Sequence, residues 1–313
     1  MRTIERLRKE YSTYDKWYYH LTLDSLGERN LLNDKSQCIN AMNIVAIAQY
    51  LYGIKVVQFD WMRNHGHFIL YANGLQCLNF FDYSKPRINA RLIKDGYPPI
   101  PNSWFMKLRR LDSYLDLLNA VTYSGRNSYD ARDDILPSGY IWSSNYLLFS
   151  EISELLEYRT ISSIGPAEAR KLLGSRLELP PDYKICKLGY VLPESYLMRT
   201  PDGKMTKAQN LYKDSKDYTY KMFRDYNTYR KAAADAGETW IPTGSDIDSL
   251  IDSLLNYGYG VRNINGLNMD GRYDLAVKLS TRYGLEPEVI ASKLKISSTS
   301  VSQMLYSYSK KNH

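Results

Sequence analysis

The stretch Asp60-Trp61-Met62-Arg63-Asn64-His65-Gly66-His67-Phe68-Ile69-Leu70 decides how this chain is read. Two of only four histidines stand one residue apart at the head of an apolar run. Phe68, Ile69, Leu70 and Tyr71 favour a strand. Side chains alternate along a strand, so His65 and His67 point the same way, and two imidazoles on one face can share a metal ion. The pattern is also met as two plain strand histidines, so its meaning rests on what surrounds it.

Outward from that strand, Trp17 to Asp24 reads as a first strand. Asp34 to Leu51 places Ile39, Met42, Ile44, Val45, Ile47, Ala48 and Leu51 at helical spacing, with Asp34 as N-cap and Gly53 as the stop. Ile54 to Trp61 reads as a second strand, hairpinned to the histidine strand through Arg63-Asn64. Strand, helix, strand, strand opens a small α+β fold with an antiparallel sheet. Residues 74–102, rich in Gly and Pro, read as loop, and about 104–126 as helix. Residues 151–176 read as two short helices. Lys207 to Ala236 reads as one long, basic, tyrosine-rich helix, either solvated or touching DNA. Residues 246–258 and 270–283 read as helical.

The net charge of +7 and pI near 9.0 favour a polyanionic partner. The excess is spread, +4 in residues 1–150 and +3 in the remainder, so a basic tail does not explain it. Tyrosine outnumbers phenylalanine 29 to 7, which suits wet, ring-stacking surfaces as well as cores. Cys38, Cys77 and Cys186 form no CxxC pair, against a zinc knuckle or a disulfide scaffold. The charged N-terminus and the lack of a long apolar run suggest a cytoplasmic protein with no membrane partner.

Tyr123 and Asn127 lie four apart, on one face of a helix. A tyrosine that attacks a phosphodiester needs its phenolate stabilised and a cation beside the phosphate. Two imidazoles and an amide oxygen leave positions for phosphate and water, which suits Mg²⁺ or Mn²⁺ better than a closed zinc site. The expectation is that a helix end carries Tyr123 and Asn127 over His65 and His67.

These residues resemble the REP-associated tyrosine transposases and their single-tyrosine HUH transposase relatives. Tyr19-His-Leu-Thr followed by Trp61-Met-Arg-Asn-His-Gly-His-Phe-Ile-Leu70 is similar to the family's Tyr-His-Val-Thr start and Met-Pro-Asn-His-Val-His-Leu-Leu strand. Thr122-Tyr-Ser-Gly-Arg-Asn-Ser-Tyr-Asp-Ala131 resembles Arg-Tyr-Ile-His-x-Asn-Pro-Val-Arg-Ala, and Tyr140-Ile-Trp-Ser-Ser144 resembles Tyr-Pro-Trp-Ser-Ser. The three blocks cover roughly residues 16–146. The resemblance implies metal-dependent cleavage and rejoining of single-stranded DNA near a hairpin through a 5′-phosphotyrosine intermediate. Tyr123 would be the nucleophile, and His65, His67 and Asn127 the metal ligands. The implied fold is an RNA-recognition-like HUH nuclease domain with a four- or five-stranded antiparallel sheet. Gly66 and Gly125 depart from the pattern: Gly66 should weaken core packing, and Gly125 should loosen the helix carrying Tyr123. They motivate a second reading, a domesticated, non-catalytic DNA-binding regulator. Arg126 flanks the nucleophile and could meet a phosphate; His20 reads as structural.

Pro287 to Leu305 reads as a helix-turn-helix or a plain helical hairpin. Ile290, Leu294, Ile296, Val301 and Leu305 close a small core, and Ser297 or Ser298 caps the second helix. The turn usually carries Gly where this chain has Lys295, which must then tolerate or avoid positive φ. In the DNA-binding reading, Ser298, Thr299, Ser300 and Gln303 face the major groove, with Lys293, Lys295 and Lys310 available for phosphates. The chain thus divides into a nuclease domain (1–150), a helical linker and accessory region (151–245) and an all-helical DNA-binding domain (246–313). The expected partner is single-stranded or hairpin DNA, and the protein a monomer or homodimer.

Overall fold

The computed structural model describes residues 4–27, 29–131, 136–150, 156–173, 179–238 and 244–311. The chain forms two compact units: Met1–Met222 with Lys231–Thr239, and Phe223–Arg230 with Trp240–His313. The stretch expected to be a separate accessory region is therefore shared between them. The first unit opens with helix α1 (Ile4–Tyr11), strand β1 (Trp17–Leu23), helix α2 (Lys35–Tyr52) and the hairpin β2 (Lys55–Trp61) and β3 (Gly66–Ala72). Helix α3 (Gly74–Lys94), strand β4 (Met106–Arg110) and helix α4 (Tyr114–Ala131) follow. The four strands make one antiparallel sheet in the order β2-β3-β1-β4.

Local signals explain most of this. The Asp34 carboxylate accepts from the Gln37 N–H at 2.9 Å, and Gly53 ends α2 in the left-handed region at φ 61°. Two elements correct the sequence reading. Gly74–Lys94 is helix rather than loop, started by a capping box in which Asn73 and Gln76 satisfy each other's main chain. Pro86 lies inside it, and Phe80, Phe81, Ile88 and Leu92 bury the face that holds it in place. Residues 106–110 are strand rather than helix, because the open edge of β1 takes the segment up from Tyr19↔Arg110 to Leu23↔Met106. The helix that follows starts at Tyr114, so Tyr123 and Asn127 stand within it rather than at its end.

The register sorts the sheet into two faces. Leu21, Phe59 and Phe68 point to one side, where α2 and α3 cover them. Thr22, Asp60 and His67 share a row on the other side, and His20, Gln58 and Ile69 form the next. Helix α4 lies on this second face, against β2 and β3. Gly125 is what permits the approach: a Cβ there would stand 2.9 Å from Asn145 Oδ1 and 3.0 Å from Gln58 Nε2. Gln58 Nε2 donates to the Val121 carbonyl at 3.0 Å, and Asn145 Nδ2 to the Gly125 carbonyl at 3.1 Å. Gly125 thus seats the helix rather than loosening it. The same correction applies at Gly66, where a Cβ would meet the Trp61 ring at 2.9 Å: the indole fills that space.

The Tyr140–Ser144 block guards the outer edge of β2. Trp61 N–H donates to Trp142 O, Ser144 N–H to Phe59 O and the Tyr140 hydroxyl to Trp61 O. Edge strands are commonly covered in this way. Further on, β5 (Tyr158–Thr160) pairs with β6 (Lys184–Cys186), with α5 (Pro166–Leu173) between them. Residues 151–155, expected to be helical, lie outside the described residues. The long helix expected from Lys207 is instead a 3₁₀ turn (Gln209–Leu211), α6 (Ser215–Arg224) and α7 (Tyr226–Ala236). Tyr212 and Tyr218 are buried and pack edge to face, so this part of the tyrosine surplus fills core.

The second unit contains α8 (Gly244–Leu254), α9 (Met269–Tyr283), α10 (Pro287–Leu294) and α11 (Ser298–Lys311). The last three pack mutually around Leu275, Leu279, Ile290, Leu294 and Val301. Lys295 ends α10 at φ 54°, in the left-handed conformation the turn demands. Arg272 Nη1 donates to the Leu294 carbonyl beside it. Among the described residues no helix is long and apolar enough to cross a membrane.

Candidate functional site

The β2–β3 turn aims His65, and the pleat of β3 aims His67, at one point: their Nε2 atoms are 2.9 Å apart. The Asn64 amide fixes the first ring. Its Nδ2 donates to the Gly27 carbonyl at 2.8 Å, so its Oδ1 faces His65 Nδ1 at 2.7 Å and accepts the hydrogen bond of the Nδ1–H. In a neutral ring that leaves Nε2 of His65 with its lone pair. His67 Nδ1 meets His20 Nε2 at 3.0 Å, with the Thr22 hydroxyl 3.3 Å from His20 and 3.5 Å from His67. When His67 donates Nδ1–H to His20, two lone pairs face each other and call for a cation between them. When His20 donates instead, an imidazole–imidazole hydrogen bond closes the gap. His20 therefore stands behind a site histidine and selects its tautomer.

Burial pushes His67 and His20 well below the ordinary imidazole range. Nearby His65 adds to the effect at His67, and His67 then Arg109 add to it at His20. His65 is lowered by burial, with Glu238 opposing. The rings are thus held neutral, the form that binds a metal.

Glu238, just beyond α7, completes the group. Its Oε1 lies 3.6 Å from His67 Nε2 and 3.9 Å from His65 Nε2. Its Oε2 accepts the hydrogen bond of the Tyr123 hydroxyl. His65, His67 and Glu238 can together hold a metal ion. The Tyr123 ring stands edge-on to His67, with centroids 5.7 Å apart. Sequence reading did not find Glu238; it lies 115 residues from Tyr123, and nothing around it marks a ligand.

The other expected residues are distributed unevenly. Asn127 is on the same face of α4, but its Nδ2 donates to the Tyr123 carbonyl at 3.2 Å, within the helix. Arg126, expected to meet a phosphate, is fully buried; its Nη1 donates to the Met222 carbonyl and its guanidinium stacks 4.9 Å from the Tyr129 ring centre. This corrects its assignment, because enclosure inside the unit withholds it from a polyanion. In the second unit Ser298, Thr299, Gln303 and Lys295 are exposed, Ser300 is half-buried, and Lys293 pairs with Asp248 at 2.5 Å.

Asp60 is a further group that sequence reading passed over. It sits opposite His67 in the β2–β3 register, fully buried, and among the described residues neither carboxyl oxygen has a geometric hydrogen-bond partner. Burial raises its pKa well above the carboxylate range, offset in part by the nearby Ser128 main chain. The hydroxyls of Ser124 and Ser128 on α4 are likewise buried without partners.

No family model, no curated protein and no solved structure matches the chain.

Proposed function

We propose that the protein is a metal-dependent endonuclease and strand transferase for single-stranded DNA, an HUH single-tyrosine transposase in class, working near hairpins through a 5′-phosphotyrosine link. The observation that carries this reading is the convergence of the Tyr123 hydroxyl, the paired Nε2 atoms of His65 and His67 and the two oxygens of Glu238. His65, His67 and Glu238 would hold Mg²⁺ or Mn²⁺, which when bound offsets charge on the scissile phosphate.

The chain's own residues supply the rest. Glu238 Oε2 takes the phenolic proton as Tyr123 Oη bonds to phosphorus. The phosphorus–O3′ bond breaks, and the departing O3′ takes a proton from water. Rejoining runs the same steps backwards, with a 3′-hydroxyl as nucleophile and Glu238 returning the proton to Tyr123. Helix α4, seated by Gly125, keeps the phenol in reach of the imidazoles; such placement is a large part of what an enzyme contributes. Helices α10 and α11 are proposed as a helix-turn-helix reader of duplex DNA through Ser298, Thr299, Ser300 and Gln303, with Lys295 on phosphate.

The test is incubation of a hairpin-bearing single-stranded oligonucleotide with Mn²⁺, followed by denaturing electrophoresis. A covalent adduct is expected with wild type and none with Tyr123→Phe. An adduct that persists in Tyr123→Phe overturns the nucleophile. Binding without cleavage under any divalent ion favours the second reading, a non-catalytic DNA-binding regulator.

A further inference from the structure

The face of the sheet that carries His67 continues, two side-chain rows away, into a surface of different character. Tyr71 lies on β3 four residues beyond His67 and opposite Tyr18 of β1. Four residues of strand span about 13 Å. The two rings are tilted against each other with centroids 5.0 Å apart, and both are half-exposed. Cations surround them. Lys16 Nζ stands 5.5 Å from the Tyr71 ring centre and Lys207 Nζ 5.8 Å from that of Tyr18. Lys55 is opposite Tyr71 on β2. Lys16, Lys55, Tyr71 and Arg199 line one groove of about 440 Å³.

No ion pair joins Lys16, Lys55, Arg199 or Lys207 to a described carboxylate, whereas Lys107 and Arg110 on β4 each have one and Arg109 has two. The groove lining contains no acidic residue. The cations here form no ion pair with a described carboxylate and stand around two half-buried rings. That is the combination by which proteins hold unpaired nucleotides, phosphates on the cations and bases on the rings. A duplex keeps its base faces stacked internally and cannot use the rings.

We propose that the groove lined by Lys16, Lys55, Tyr71 and Arg199, with Tyr18 tilted against Tyr71 and Lys207 over Tyr18 beside it, binds single-stranded DNA as a site separate from the metal group. The choice of DNA rests on the function proposed above; the stacking and charge complementarity do not. The groove would hold the unpaired flank of the strand whose scissile phosphate lies at His65 and His67.

The test uses the full chain in EDTA, so that binding is read without cleavage, with a fluorescein-labelled 20-nucleotide single strand, the matching duplex and heparin as probes. Lys55→Ala/Arg199→Ala changes two exposed side chains and should leave the fold intact. It should weaken single-strand binding at least about tenfold and reduce the slope of log affinity against log salt by about 1.4, since each lost phosphate contact removes about 0.7. Tyr71→Ala should weaken single-strand binding while leaving heparin binding unchanged. Duplex binding should be unaffected by both. Unchanged single-strand affinity and salt slope in Lys55→Ala/Arg199→Ala would overturn the proposal. So would equal losses for heparin and single strand with no effect of Tyr71→Ala, which would mark a surface for polyanions in general. Tyr123→Phe should bind the single strand as wild type does, so loss of cleavage and loss of groove binding are separate results.

Discussion

The Tyr123 hydroxyl donates its hydrogen bond to Glu238, whose other carboxylate oxygen faces the Nε2 atoms of His65 and His67. One carboxylate thereby links the nucleophile to the imidazole pair. Tyr123 comes from the helix lying on the sheet, and Glu238 from the segment after a helix much later in the chain.

Glu238→Gln should remove both of its roles at once. The amide keeps the shape but neither takes a proton nor offers a full negative charge to a cation. Mn²⁺ affinity, read by titration, should fall at least about tenfold, the equivalent of 1.4 kcal/mol. Asn127→Ala should change it less than threefold. The reverse order of effects would make Asn127 the ligand and Glu238 a bystander.

Stability should respond to pH in two opposite ways. His20, His65 and His67 are held below their ordinary range in the fold. Between those depressed values and about 6.5 the unfolded chain binds more protons than the folded one. Their contribution is therefore complete above about pH 6.5 and lost as pH falls, by up to about 1.4 kcal/mol per pH unit for each ring. Asp60 is the reverse case, because its folded pKa is raised. Its contribution is present below about pH 3.9 and is lost as pH rises through the raised value. Urea midpoints measured from pH 4 to 9 should fall at acid pH in wild type and in Asp60→Asn. The opposing loss, which sets in as pH rises from about 3.9 towards the raised folded value, should be absent from Asp60→Asn.

Gly125→Ala should cost more than stability. The added methyl meets the side-chain ends of Asn145, Gln58 and Met222 within 3.2 Å, so either those side chains move, Asn145 and Gln58 giving up their bonds to α4, or the helix shifts and carries Tyr123 with it. Overpacking of this kind costs about 1–3 kcal/mol. Gly66→Ala meets the Trp61 ring and should destabilise to a similar degree. Cleavage by Gly125→Ala should fall at least about tenfold under conditions where it is fully folded by circular dichroism, since small misplacements of reacting groups are expensive. Equal activity in wild type and Gly125→Ala would show that the seat of α4 does not set the site.

Lys295→Gly should stabilise the second unit by about 0.5–1 kcal/mol. Lysine there holds φ 54°, a conformation that costs side-chain-bearing residues about 1 kcal/mol or more and glycine very little. Hydrogen exchange of the α10 and α11 amides should slow. Faster exchange would mean that the lysine side chain makes a contact worth more than the backbone strain.

The legible parts of the fold were those whose cause is local. The Asp34 cap, the Gly53 stop, the histidine hairpin and the left-handed demand at Lys295 each depend on a few adjacent residues. Helix α3 was missed because Pro86 and the glycines flanking the segment outweighed its buried apolar face. Strand β4 was missed because its pairing partner lies more than 80 residues earlier in the chain. The role of Gly66 was hidden in the same way, since its reason is the position of an indole. Within the site, the shared face of His65 and His67 followed from strand alternation. Glu238, the enclosure of Arg126 and the buried carboxyl of Asp60 depend on tertiary packing that no local pattern announces.

The central claim is that Tyr123 becomes joined to DNA at the imidazole pair. It is tested most directly by digesting the Mn²⁺-dependent protein–oligonucleotide adduct and mapping the modified peptide by mass spectrometry. The nucleotide should be found on Tyr123 through a phosphodiester, and His67→Ala should yield no adduct. Attachment at a different tyrosine, or an undiminished adduct from His67→Ala, would contradict it.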